Sequence, residues 1–134
     1  MEKLVIEPTV NSPSVILDPE SNQFDLSGES RPENVRKFYL PILEWLDGYA
    51  KEQSGMSRSE RSSNLIVQFN FEYFNSTSAK YILDIFKALN VLNDLSLKIL
   101  VKWLYEEDDE DMLEVGQEMS RMSKLDFEYI NTDA

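Results

Sequence analysis

The sequence predicts a single α/β domain, in which helices pack on a mixed β-sheet that begins with an N-terminal hairpin. Residues 65–74 alternate apolar and polar side chains with the period of a strand, whereas residues 79–89 place apolar side chains at helical spacing. Strand and helix patterns alternate towards the C-terminus, an order typical of sheets whose neighbouring strands are parallel. The length of 134 residues suits one domain spanning 1–134.

The N-terminal part predicts a β-hairpin. Short β-type runs occur at residues 4–6, 14–17 and 23–26, and a Pro-Glu-Ser-Asn turn at residues 19–22 separates the last two. We expect the two strands that flank this turn to pair through four facing apolar residues, Val15, Leu17, Phe24 and Leu26.

A long helix is predicted next. Ser30-Arg31-Pro32-Glu33 has the form of a capping box, which places the start of the helix at Ser30. Pro41 lies inside the helical pattern, so we expect either a kink or two abutting segments there. The apolar face of the helix comprises Val35, Phe38, Tyr39, Ile42, Leu43, Trp45, Leu46 and Tyr49.

Two long strands are expected at the centre of the sheet. Residues 97–105 alternate but carry apolar side chains on both faces, which predicts cover on both sides. Residues 127–130 predict a short last strand that closes the sheet. The first central strand directs one apolar set towards the core, namely Leu65, Val67, Phe69, Phe71 and Tyr73.

Three further features each have a structural and a functional interpretation. The serine-rich residues 53–63 (Ser54, Ser57, Ser59, Ser62, Ser63), with Arg58 and Arg61, form either a flexible connection or a kinase target. The acidic residues 106–111 form either the solvated start of a helix or a site for a metal or a basic partner. Three methionines provide either core packing or an adaptable binding surface: Met112, Met119 and Met122. The structural interpretation is favoured each time.

Composition restricts the chemistry of the chain. Histidine and cysteine are absent, which removes the commonest acid–base group, thiolate chemistry and the usual zinc ligands. With four glycines and no phosphate-binding loop, we expect no catalytic residues, no cofactor and no metal. The net charge of −12 disfavours nucleic acid and anionic membranes. Because long apolar runs, a signal-peptide pattern and cysteine are all absent, we expect a cytoplasmic protein. Trp45 and Trp103 are assigned to the core.

Three consecutive hydroxyl residues follow the first central strand. Asn75, Ser76, Thr77 and Ser78 lie where the strand pattern stops and the helical pattern begins. Such residues are good helix caps. They also place hydroxyls at the positive end of a helix, where an added phosphate would meet backbone N–H groups. The cluster therefore indicates either structural capping or a phosphorylation switch.

The same residues carry a family resemblance that extends over nearly the whole chain. The chain resembles the SiaC-like bacterial phosphoprotein regulators, which are similar in fold to anti-sigma-factor antagonists of the STAS type. The matching positions, in order, are Gly28-Glu29-Ser30-Arg31-Pro32-Glu33-Asn34, Glu44-Trp45, Tyr73-Phe74-Asn75-Ser76-Thr77-Ser78-Ala79-Lys80, Asp84-Ile85, Trp103 and Phe127.

The resemblance implies a partner switch on a STAS-like fold. In such proteins a Ser/Thr kinase of the histidine-kinase-like ATPase type phosphorylates the hydroxyl residue after the motif Asn, and a PP2C-type phosphatase removes the phosphate. The unmodified form binds and activates a diguanylate cyclase and so controls cyclic di-GMP and biofilm formation. By position the resemblance implies Ser76 as phosphoacceptor and Thr77 as second choice. It implies a partner-binding set of Asn75, Ser76, Thr77, Ser78 and Lys80.

One alternative remains open from the sequence alone. The chain could be a small acidic ligand-binding domain, or an enzyme that uses carboxylates in a pocket beside the sheet. Phosphate on Ser76 in protein recovered from cells would separate the two hypotheses.

Overall fold

A computed structural model describes residues 1–62 and 64–133; Ser63, assigned above to the serine-rich loop, lies outside the described residues. The described part of the chain forms six strands and three helices. Their bounds are β1 (Leu4–Ile6), β2 (Ser14–Asp18), β3 (Gln23–Ser30), α1 (Val35–Ser54), β4 (Asn64–Phe74), α2 (Ser76–Asp94), β5 (Lys98–Tyr105), α3 (Glu110–Ser123) and β6 (Asp126–Asn131).

The strands form one mixed sheet whose spatial order follows the chain, β1 to β6. The β1–β2 and β2–β3 pairs are antiparallel, and the three later pairs are parallel. Val15 lies opposite Leu26 and Leu17 opposite Phe24, which confirms the predicted hairpin. Both long strands, β4 and β5, lie inside the sheet, as expected.

One face of the sheet is buried and the other is partly open. Alternate residues of the inner strands supply the core, among them Leu65, Val67, Phe69, Ile99, Val101 and Trp103. On the opposite face Leu100 and Leu104 are half-buried and Ile66 is 41% exposed. The prediction that β5 is covered on both sides is therefore wrong, since only its odd-numbered face is fully buried.

A β-bulge in β4 reverses the predicted alternation at the end of this strand. Gly28 pairs with Phe71, but Glu29 pairs with Tyr73, so Glu72 is an extra residue in β4. An extra residue turns the side chains after it to the other face. Tyr73, predicted to lie in the core, is consequently 49% exposed, and Phe74 packs against the core in its place.

Helix α1 begins later than the capping box predicts. The N-cap is Asn34, whose side chain accepts a hydrogen bond from the Lys37 amide. Ser30 is instead the last residue of β3 and is fully buried, because it pairs with Phe74 in the parallel ladder. Pro41 lies inside one continuous helix, so the two-segment interpretation is wrong. The predicted apolar face of α1 is buried or packed against the core.

The loop after α1 is shorter than predicted and is held to the helices. Gln53 belongs to the last turn of α1 and is buried, and its side chain accepts a hydrogen bond from the Ser62 amide. The Arg61 guanidinium donates to the carbonyls of Gln53, Met56 and Leu95. Arg61 thus binds backbone carbonyls at the C-terminal ends of both α1 and α2.

The acidic run forms the start of a helix, as the favoured interpretation predicts. Asp109 caps α3 by accepting a hydrogen bond from the Met112 amide, and Glu110 and Asp111 occupy the first turn. Met112 and Met119 are buried, but Met122 is 54% exposed, so the assignment of all three methionines to the core is wrong for Met122.

The packing of α3 on β5 depends on Gly116. A Cβ added there would lie 2.9 Å from Trp103 Cε2 and closer still to Cδ1 and Nε1 of the same ring. Trp103 cannot move aside readily, because it is 1% exposed and its Nε1 donates to the Met112 carbonyl at 2.9 Å.

We therefore expect Gly116→Ala to destabilise the protein by roughly 1–3 kcal/mol through overpacking. Helix propensity alone would predict the opposite, a gain in stability of about 1 kcal/mol on replacing Gly by Ala. Urea denaturation followed by circular dichroism measures the change. Gly48→Ala in α1 is the matched control, because its Cβ would meet only the flexible end of the Met1 side chain. Equal effects of the two substitutions would contradict the proposed clash.

Candidate functional site

The hydroxyl cluster lies at the junction of β4 and α2, at the carboxyl end of an inner parallel strand. Asn75 is the N-cap of α2, in an extended backbone conformation. Its side-chain oxygen accepts two hydrogen bonds of 2.9 Å, from the Ser78 amide and from Thr77 Oγ1. Asn75 is therefore the helix cap among the four residues that the sequence offered for this role.

Ser76 and Thr77 are the first two residues of α2 and both are exposed. Their backbone N–H groups have no acceptor within the helix, as in any first turn. The two hydroxyls differ in their partners: Thr77 Oγ1 donates to Asn75, whereas Ser76 Oγ makes no hydrogen bond to any residue in 1–62 or 64–133. Ser76 thus presents the less restrained hydroxyl.

Ser78 has a different environment, since it is fully buried. Its hydroxyl donates to the Ser30 carbonyl at 3.0 Å and accepts from the Ser30 hydroxyl at 2.9 Å. Tyr39 OH lies 2.5 Å from Ser30 Oγ and completes the chain of hydroxyls. Ser78 therefore does not belong to the accessible surface, and we remove it from the partner-binding set that the resemblance implied.

Lys80 lies one turn after Ser76 on α2 and is exposed. Its Nζ forms an ion pair with Asp84 at 3.0 Å and lies 4.5 Å from the centre of the Tyr81 ring. The hydrogen bond to Asp84 raises the pKa of Lys80. Asp84 also faces Lys87 at 3.9 Å. Because residues four apart are neighbours on a helix, Lys80 can reach a charged group on Ser76.

The first turns of α1 and α2, beside this site, differ in charge from the first turn of α3. Stacking of Tyr39 on Tyr81 (centroids 5.7 Å apart) places α1 beside α2. Neither helix has an acidic residue in its first turn, whereas α3 has two. In a chain of net charge −12, the positive potential of these two helix N-termini is therefore not reduced by a carboxylate in their own first turns.

A separate polar cavity of about 610 Å³ lies at the same end of the sheet and includes residues of its open face. Its lining includes three acidic side chains, Glu72, Glu106 and Asp109, together with Ser14, Ser27 and Asn70. In the described part of the chain, no group of three or more acidic residues is arranged to hold a metal ion. This cavity matches the alternative hypothesis of a carboxylate-based site in a pocket beside the sheet.

Comparison with known proteins identifies the family. The model of the family described as SiaC family regulatory phosphoprotein matches residues 6–132. The chain belongs to this family. An uncharacterised protein of Pseudomonas aeruginosa strain UCBPP-PA14 is 23% identical over 127 residues, which cover 95% of this chain and 94% of that protein. The family resemblance drawn from the sequence motifs is confirmed.

Solved structures confirm the fold. Apo-SiaC from Pseudomonas aeruginosa superposes with a TM-score of 0.79 at 20% identity, covering 97% of this chain and 99% of that chain. A chain from the crystal structure of the diguanylate cyclase SiaD in complex with its activator SiaC, also from Pseudomonas aeruginosa, gives a TM-score of 0.80 at 19% identity, with 96% and 98% covered. The predicted α/β class with a mixed sheet and packed helices is therefore correct.

None of the helices in the described part of the chain is both long enough and apolar enough to cross a membrane.

Sequence reasoning missed two residues of the buried hydroxyl chain. Ser30 was interpreted as a helix cap and Tyr39 as a purely apolar residue of α1. A buried tyrosine hydroxyl needs a hydrogen-bond partner, so Tyr39 on an apolar helix face was itself a signal for a nearby polar group. The identity of that group depends on how β3 and α2 approach α1, which no local pattern reveals.

The buried hydroxyl chain predicts a specific alkaline response. Burial raises the pKa of Tyr39 from about 10 to about 12, against the smaller opposite effect of the neighbouring Ser30 and Ser78 hydroxyls. Between these values the folded protein keeps a proton that the unfolded chain releases, so stability falls as the pH rises. We expect Tyr39→Phe to be less stable than wild type by about 1 kcal/mol at pH 8.

The difference between the two proteins should shrink above pH 10 and reverse by pH 12, because the wild type loses more than about 1 kcal/mol of stability over this range and Phe has no proton to lose. Denaturant unfolding of both proteins at a series of pH values provides the measurement. Parallel stability curves over this range would show that Tyr39 does not titrate as the structure indicates.

Proposed function

We propose that this chain is a non-enzymatic partner-switching regulator controlled by phosphorylation of Ser76, with Thr77 as second choice. The unphosphorylated form binds and activates a signalling target, which we propose to be a diguanylate cyclase. A Ser/Thr kinase of the histidine-kinase-like ATPase type adds the phosphate and a PP2C-type phosphatase removes it. Because such a kinase uses ATP, the switch would operate in the cytoplasm.

One observation carries this proposal. In a chain that belongs to a regulatory phosphoprotein family, Ser76 is an exposed hydroxyl residue at the first position of α2, directly after the cap residue Asn75. Ser76 is favoured over Thr77 because the Thr77 hydroxyl already donates to Asn75. The proposal of a cyclase as target draws on the relative SiaC, which has been crystallised with the diguanylate cyclase SiaD as its activator.

The surroundings of Ser76 allow phosphorylation without unfolding. The cap bond from the Ser78 amide to Asn75 uses an atom other than Ser76 Oγ, so the helix start can persist when Ser76 is modified. A phosphate carries about −1.5 to −2 charges at neutral pH. Free N–H groups of the first turn and Lys80 one turn on would offset part of this charge. Asp84 would then keep Lys87 as its counter-ion.

The effect of the phosphate on binding would be much larger than its effect on folding. An exposed charge at a helix N-terminus stabilises the helix by about 0.3–1 kcal/mol. A phosphate forced into an interface that lacks a matching cation loses its hydration, which costs several kcal/mol. Phosphorylation therefore acts on the partner interface by charge and bulk, and no change of fold is required.

We predict that phosphorylation of Ser76 weakens binding of the cyclase at least about 100-fold, or about 2.7 kcal/mol. The phosphoserine form is prepared by genetic incorporation at position 76, so that the test does not depend on a kinase. Titration calorimetry with a purified diguanylate cyclase of the source organism measures the affinities. We expect Ser76→Ala to bind as tightly as the unmodified chain, with a similar melting temperature.

Two controls define the site. Ser59→Ala removes an exposed hydroxyl from the loop after α1 and should leave both phosphorylation and binding unchanged. Thr77→Ala should remain a substrate of the kinase if Ser76 is the acceptor. Equal cyclase affinities for the phosphorylated and unmodified chains would exclude Ser76 as the switch and make Thr77 the residue to test.

A further inference from the structure

Tyr73 is unusual among the aromatic residues of this protein. Of the Phe, Tyr and Trp side chains in residues 1–62 and 64–133, Tyr73 alone belongs to the exposed class, at 49%. The others are buried or half-buried. Exposed tyrosines are enriched among the residues that dominate binding energy, since they combine a large apolar ring with a polar hydroxyl.

The exposure of Tyr73 is a consequence of the β-bulge at Glu72. Without the extra residue, Tyr73 would continue the row of Phe69 and Phe71 into the core. With it, Phe74 packs against Phe71 at 5.4 Å and Trp103 at 6.3 Å, and Tyr73 faces away from the helices. Bulges that re-aim a side chain are over-represented next to functional sites.

Tyr73 is close enough to Ser76 to share an interface with it. Ser76 is three positions after Tyr73, so their Cα atoms are at most about 11 Å apart. A standard protein–protein interface covers about 800 Å² of each partner, which corresponds to a patch of about 16 Å radius. A protein that covers Ser76 to sense its phosphate can therefore contact Tyr73 in the same interface.

The charged residues that border Tyr73 indicate which chemistry a partner needs. Its neighbour across the ladder, Glu29, is paired with Arg31 at 3.3 Å. Glu72, which precedes it, is exposed and forms no ion pair with the residues that the structure describes. Because Tyr73 belongs to a strand, its backbone is already ordered, and little further conformational entropy is lost when the ring binds. An apolar cleft bordered by Lys or Arg fits this surface.

We propose that Tyr73 is the anchor residue through which the unphosphorylated chain binds its signalling target, by inserting its ring into an apolar cleft with a basic border. This inference rests on the switch function proposed above and assigns the contact residue that accompanies Ser76. Phosphate on Ser76 then acts beside the anchor and prevents the cleft from closing over it.

The test measures the affinity of the purified diguanylate cyclase for Tyr73 variants by titration calorimetry. We expect Tyr73→Ala to weaken binding at least tenfold and Tyr73→Phe to stay within threefold of wild type, because the ring supplies the contact. Tyr73→Thr should also weaken binding tenfold. Because Thr favours strands, this variant controls for the possibility that Tyr73→Ala loses binding by disturbing the fold. Met122→Ala on α3 is the matched control for an exposed apolar side chain and should bind like wild type.

The outcomes separate this inference from the proposed function. Binding within threefold of wild type for both Tyr73→Ala and Tyr73→Thr overturns the anchor role alone. Failure of the wild-type chain to bind the cyclase overturns the proposed function and this inference together. Analytical ultracentrifugation of the free chain tests whether a second copy of the chain binds Tyr73 instead. A dimer that forms with the wild type but not with Tyr73→Ala would overturn the assignment of Tyr73 to the signalling target.

Discussion

The arrangement of the candidate switch depends on the hydrogen bonds made by Ser30, the last residue of β3. Its carbonyl accepts from the Asn75 amide at 3.2 Å and from the Ser78 hydroxyl at 3.0 Å. Its own hydroxyl lies between Ser78 and Tyr39. One buried residue thereby joins β3, α1 and the start of α2. Because unpaired buried hydroxyls are costly, these bonds favour a single position for the junction that presents Ser76.

The junction also explains how a rigid core and an exposed switch share one short segment. The Asn75 side-chain oxygen and the Ser78 hydroxyl are hydrogen-bonded within the protein, while Ser76 between them faces solvent. Modification of Ser76 therefore adds charge to a surface whose supporting bonds are already complete. The same segment follows the bulge that turns Tyr73 outward, so a charge-sensitive hydroxyl and an apolar ring lie within a few residues of each other.

Charge is distributed unevenly over the end of the sheet that carries these features. The acidic residues 106–111 surround the start of α3, whereas the first turns of α1 and α2 hold no acidic residue. The free N–H groups at the start of α2 can therefore favour a phosphate despite the net charge of −12. The acidic end at α3 has its own structural role, because Asp109 caps that helix and the adjacent negative charges complement its dipole.

The sequence by itself determined the class of the fold, the paired hairpin and the location of the candidate switch. These follow from local patterns: period-two runs, helical apolar stripes, and cap residues where one pattern replaces the other. Only the tertiary structure decided which hydroxyls are exposed and where α1 begins. The capping box indicated Ser30 as the cap of α1, but Ser30 is buried in the parallel ladder and Asn34 caps the helix instead. The bulge at Glu72 is likewise set by the register between β3 and β4, a contact between distant parts of the chain, so alternation alone assigned Tyr73 to the wrong face.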